Sequence, residues 1–235
     1  MAEGKTSPWV WIGCGCLAAI VLVVGAFGAM IFMGVSWVKD IEETMSDPVK
    51  RADRVMEILD TDELPEGYNA IAGITIPLFA ELAVLGTNEP DAHGQLDELG
   101  ERGFVYMKLK LSMPEKEQEL RDFLEGKSEK KPDIMLQSNI RLDADEVVER
   151  GEMVLDGSSA LYTIYRGDIN VDNKSGEGLA AMAMIQCPED HRIRLGIWFG
   201  PDPSKGEAIE EAELTGTPGD KQAIKDFLSH FDFCR

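Results

Sequence analysis

The sequence predicts an α+β fold class: one N-terminal transmembrane helix, then a soluble acidic domain with a mainly antiparallel sheet and a few packed helices, including an amphipathic C-terminal helix. Three observations predict it. Trp9 to Val38 contains no charged side chain. The second half of the chain divides into short apolar or alternating runs separated by turn residues. Residues 48–59 and 223–231 instead repeat their apolar positions at helical spacing. The expected organisation is a short tail over 1–8, the transmembrane helix over 9–38, an acidic stalk over 39–46 and the soluble domain over 47–235.

As a helix, 9–38 would reach about 45 Å, more than the roughly 30 Å of a hydrocarbon core. Trp9 and Trp11 at one end and Trp37 at the other are the residues expected at the membrane interfaces. Ala26-Phe27-Gly28 offers a signal-peptidase pattern, but the apolar run continues well past it. Ile12-Gly13-Cys14 resembles a lipobox and fails as one, because its cysteine precedes the apolar core. Gly15 with Ala19, and Gly25 with Ala29, have the spacing that allows two helices to self-associate. Lys39, Lys50 and Arg51 outnumber Lys5, which read literally keeps the domain in the cytoplasm. Interleaved acids weaken that count. A signal-anchor with a short tail inside puts the domain outside, so the expected localisation is the cell membrane, single-pass, with an extracytoplasmic domain, periplasmic in a bacterium.

Beyond the stalk, Ser46-Asp47-Pro48 is a helix-start signal, and Val49, Ala52, Val55, Met56 and Leu59 continue it. Pro65 and Gly67 end that element. Tyr68–Ile76 and Leu78–Leu85 read as two strands divided by Pro77, with a helical turn as the alternative for the second, and 87–103 as a long polar loop. Phe104–Met113 alternates cleanly and is a strand. Ser112-Met113-Pro114-Glu115 matches a capping box before a charged helix ending at Leu124. Four strands are expected next: 146–155, 160–169, 179–187 and 192–199. The third is apolar on both faces, as a central strand should be. Thr217-Pro218-Gly219-Asp220 opens the last helix, whose stripe of Ala223, Ile224, Phe227, Leu228 and Phe231 should dock on the sheet.

Glu3 and Lys5 cancel, so the formal charge of −20 belongs to residues 39–235. Such a surface repels nucleic acid and anionic headgroups, and it suits solubility, cations or a basic protein partner. Of the four cysteines, Cys14 and Cys16 lie in the apolar run. A Cys187–Cys234 bridge is open in an oxidising compartment, though spacing does not establish it.

Nucleophile elbows, phosphate-cradling glycine loops and zinc spacings are missing from the sequence, so no catalytic residue and no cofactor is assigned. Ser158-Ser159 reads as a hairpin turn. Cys187 and His191 straddle a turn but make only half a metal site. The better metal candidates are Asp168, Asn170 and Asp172, at alternate positions like the first half of a calcium loop, with Glu177 beyond them. Asn173 replaces the turn glycine and Leu179 the closing glutamate, which favours a polar hairpin. Leu64-Pro65-Glu66-Gly67-Tyr68 before a strand, with the closing Phe227–Phe231 helix, resembles PsbP-like domains. That resemblance implies an α+β fold and carries no functional residue. The function expected is non-catalytic binding or assembly by a membrane-anchored acidic domain. The alternatives are a tethered enzyme built from scattered carboxylates and a cation-responsive sensor.

Overall fold

Helix α1 (Pro48–Leu59) begins beside an aspartate whose own backbone is still extended. The Asp47 carboxylate accepts from the N–H groups of Val49 at 2.9 Å and Lys50 at 3.3 Å, satisfying two orphan donors of the first turn. Pro48 lacks an N–H where the helix needs none. Asp60 ends the helix in the left-handed region at φ 48°, and its N–H returns to the carbonyl of Met56. The computed structural model describes residues 41, 43–88, 101–130, 132, 140–171, 174–188, 190–204 and 212–234. Thr44–Ser46 already have helical backbone and Thr44 is buried, so part of the expected stalk belongs to the folded unit that starts at Thr44.

The strands are β1 (Asn69–Ile76), β2 (Ala80–Gly86), β3 (Gly103–Ser112), β4 (Ile140–Leu155), β5 (Ser158–Val171), β6 (Lys174–Cys187) and β7 (Asp190–Pro201). They form one seven-stranded sheet in the order β1-β2-β3-β7-β6-β5-β4. All neighbouring pairs are antiparallel. Two meanders therefore meet at one seam. β1 to β3 runs inward from one edge, and the connection containing α2 (Pro114–Leu124) takes the chain to the other edge. β4 to β7 then returns until Val105 of β3 faces Ile197 of β7, and Met107 faces Leu195.

Alternation sends successive side chains to opposite faces, and both faces are covered. On one, Phe104, Tyr106, Tyr162 and Trp198 meet Val55 and Leu59 of α1, together with Phe227 of α3 (Lys221–Leu228) and Phe231 and Phe233 beyond it. On the other, Val105, Leu161, Met182, Met184, Leu195 and Ile197 meet Leu120 and Leu124 of α2. Double coverage explains why β6 is apolar at odd and even positions alike. The C-terminal segment is held twice. Phe227 stacks on Trp198 with ring centroids 4.6 Å apart, and a disulfide joins Cys187 to Cys234 with Cα atoms 5.4 Å apart.

This architecture corrects the expected fold class. Among the described residues no helix is long and apolar enough to cross a membrane. The longest of α1 to α3 has 12 residues, a rise of about 18 Å against the roughly 30 Å required. The structure supports a seven-stranded antiparallel sheet with few helices. The helix expected over 9–38 lies outside the described residues, as do Trp9, Trp11, Trp37, Gly15, Ala19, Gly25 and Ala29. The membrane, transmembrane, single-pass and signal-anchor assignments are withdrawn with it. They rested on the length and apolarity of one uncharged run, and no described helix has both properties.

Local expectations change too. The capping box at 112–115 does not form: Met113 is the N-cap of α2 and supplies no side-chain bond. Ile76–Phe79 is a turn, closed by the Phe79 N–H on the Ile76 carbonyl at 3.1 Å, so β2 starts later than expected. β4 starts six residues earlier than the predicted 146, and its register shifts between Ala144 and Glu146 and again between Val147 and Glu149. Bulges of this kind break the period-two pattern that a strand prediction reads.

Candidate functional site

Three turns from distant parts of the sequence meet at one end of the sheet. Asp60 to Glu63 follow α1, Asp156 and Gly157 link β4 to β5, and Ser229 to Asp232 follow α3. Together they line a cleft of about 530 Å³. Five acidic residues line it, Asp60, Asp62, Glu63, Asp156 and Asp232, and among the described residues that line it none is a lysine or arginine.

Each turn is fixed by its own chemistry. The left-handed backbone of Asp60 turns the chain out of α1, and the Thr61 hydroxyl donates to the Glu63 carbonyl at 2.8 Å. Gly157 takes φ 71°, the conformation that lets β4 and β5 join through a tight turn. The Asp232 N–H donates to the Asp60 carbonyl at 3.3 Å, tying the first wall of the cleft to the third. The disulfide two residues further on and the buried rings of Phe231 and Phe233 fix that third wall to the sheet. Asp60, Asp62, Glu63, Asp156 and His230 are exposed. Carboxylates this concentrated make a negative potential that a cationic group entering the cleft feels at short range. Beyond about 8 Å, physiological salt screens it.

The metal candidates lie elsewhere. Asp168 is exposed on β5 and sits at a paired register position with Glu177 on β6 and with Asp143 on β4; Asn170 pairs with Ser175. Asp172 lies outside the described residues. Among the described residues, no group of three or more His, Cys, Asp or Glu could hold a metal ion. The Cys187–His191 pairing is overturned, because a sulfur bonded to Cys234 is no longer a thiolate ligand.

A second polar cluster is structural. Arg166 donates through Nε to Asp202 at 2.7 Å and through Nη2 to the Ser204 hydroxyl at 2.7 Å; that hydroxyl donates on to Asp202 at 2.8 Å. Burial would raise the Asp202 carboxyl, but the bonds from Ser204 and the charge of Arg166 outweigh it and hold the group below its ordinary value. Every member is satisfied, so the cluster anchors the end of β7 to β5.

No protein-family model and no curated protein matches this chain. The likeness to PsbP-like domains therefore contributes nothing to the site. The cleft acids themselves escaped the sequence reading. The one signal was the run Asp60-Thr61-Asp62-Glu63, which looks like a solvated turn until Asp156 and Asp232 come beside it.

Proposed function

We propose that this domain is a non-catalytic binding module whose acidic cleft takes a lysine- or arginine-rich segment of a protein partner. The observation that carries the reading is the lining: five acidic residues on three separate turns, with no lysine or arginine among the described lining residues. Scattered surface acids serve solubility, whereas acids converging on a concavity focus their field on whatever enters it. The walls are tied together by backbone bonding, packing and a disulfide, so little ordering entropy is spent on binding. The disulfide also supports an oxidising, extracytoplasmic setting for the domain.

The test is fluorescence anisotropy with a labelled Lys/Arg-rich peptide and the full chain. Saturable binding is expected, and a variant carrying Asp62→Asn, Glu63→Gln and Asp156→Asn should weaken it about tenfold or more. A control carrying Glu66→Gln, Glu129→Gln and Glu152→Gln removes the same charge outside the cleft and should bind almost normally. Equal losses in both variants would mean that net charge, not the cleft, does the binding. Calcium at matched ionic strength separates the cation-responsive reading, because a saturable calcium response unaffected by the cleft variant would favour it.

A further inference from the structure

A second cavity, of about 210 Å³, lies beneath α2 where β6 turns into β7. Its lining does not share the chain's −20, because two arginines there stand against two carboxylates. Among the described residues, Arg121, His191 and Arg192 line it, with Glu117 and Asp190 as the acids. Asp190 is already engaged. Its Oδ2 pairs with Nη2 of Arg194, a side chain 1% exposed, and its Oδ1 accepts from the Arg192 backbone N–H at 3.0 Å. The Arg192 Nε stands a longer 3.5 Å from that oxygen. Glu117 reaches only to 3.7 Å from Arg121, beyond hydrogen-bond range.

Arg121 is held instead by a neutral group. With the Gln186 amide turned so that its oxygen faces the guanidinium, that oxygen accepts from Nη2 at 2.6 Å and from Nη1 at 2.9 Å. The amide nitrogen then lies 3.4 Å from the Ser159 hydroxyl, which supports that orientation. An amide positions an arginine without neutralising it. Two guanidinium groups, from α2 and β7, therefore border one cavity with their charge only loosely compensated. The cavity has room for about seven water-sized groups, below the roughly 300 Å³ at which drug-sized sites begin. Guanidinium forks match oxyanions in geometry and charge. The acids elsewhere on the surface are screened beyond about 8 Å.

We infer that this cavity binds a small oxyanion, a phosphate or carboxylate group, between Arg121 and Arg192. The full chain is titrated at pH 7 with inorganic phosphate and separately with acetate, against sodium chloride at matched ionic strength. Thermal stability and backbone amide shifts are followed together. At least one of the two anions should give a saturable response, with shifts centred on Gln186, His191 and Arg192. Whichever anion does so identifies the group. Arg121→Gln and Arg192→Gln should each weaken binding about tenfold or more, the loss of one charge-assisted contact. Arg192 is half-exposed, so its variant keeps the test valid even where Arg121→Gln disturbs Gln186. Responses to both anions that match sodium chloride, or binding that survives in both variants, would overturn the inference.

Discussion

Phe227→Ala removes the ring on which the C-terminal segment is assembled. That ring is 7% exposed, stacks on Trp198 at 4.6 Å, and has Phe104 at 5.1 Å, Tyr68 at 5.3 Å and Phe231 at 5.5 Å. Truncating a core phenylalanine costs about 3–5 kcal/mol in lost transfer energy and residual cavity. The upper part of that range is expected here. α3 has 8 residues, too few to persist without its packing, so Phe231 and Phe233 should loosen with it. The disulfide at Cys234 keeps the tail near the sheet but does not replace the ring. Urea unfolding of the full chain, followed by tryptophan fluorescence and far-UV dichroism, measures the loss. The melting temperature should fall by about 6–20 °C for a domain of this size. A loss under about 1 kcal/mol with unchanged fluorescence of the folded state would show that α3 is not docked by this ring, and the description of that face would be wrong.

Replacing both Cys187 and Cys234 by serine opens a loop whose ends are 47 residues apart, which the chain-entropy account values at about 4 kcal/mol. Equilibrium unfolding of the double variant checks this, and a loss below about 1 kcal/mol would contradict it. Acid should also unfold the domain through two buried or half-buried carboxylates. Burial opposes ionisation of Asp190 and Asp202, yet the bonds and charges from Arg194 with Arg192, and from Ser204 with Arg166, hold both groups below their ordinary 3.8. A lowered folded-state value stabilises above the unfolded value, and that stabilisation is lost as pH falls through the folded one. Unfolding free energy should therefore be level above about pH 5 and drop below about pH 4. Asp202→Asn should flatten that drop, and an unchanged acid profile in that variant would refute the assignment.

Where local chemistry settles an element, the sequence reads true. Asp47 before Pro48 marks the start of α1, the alternation from Met107 onward marks β3, and the stripe from Ala223 to Phe231 marks the closing segment. Tertiary context settled the rest. Ile58 to Glu63 and Arg141 to Glu146 look alike, yet the first ends a helix and lines a cleft while the second is strand. The difference lies in what each packs beside, and no six-residue window contains that. β4 opens on Ile140-Arg141-Leu142-Asp143-Ala144, an alternation that the register shift before Glu146 interrupts, and pairing with β5 carries the strand across that break. The disulfide needed the fold to bring the end of β6 to the chain's last turn. The cleft is the extreme case: its acids come from three turns about 70 to 95 residues apart, each of which looks like ordinary solvated connection.

On the proposed function, the acidic cleft, rather than the acidic surface at large, receives a basic segment. Its most direct test is a titration of the isotope-labelled full chain with an unlabelled Lys/Arg-rich peptide, followed by amide chemical shifts. Saturable shifts are expected, concentrated at residues 60–63, 156–157 and 229–232 and shrinking steeply as salt rises. Small, non-saturating shifts spread over acids elsewhere, such as Glu66, Glu129 and Glu152, would contradict it.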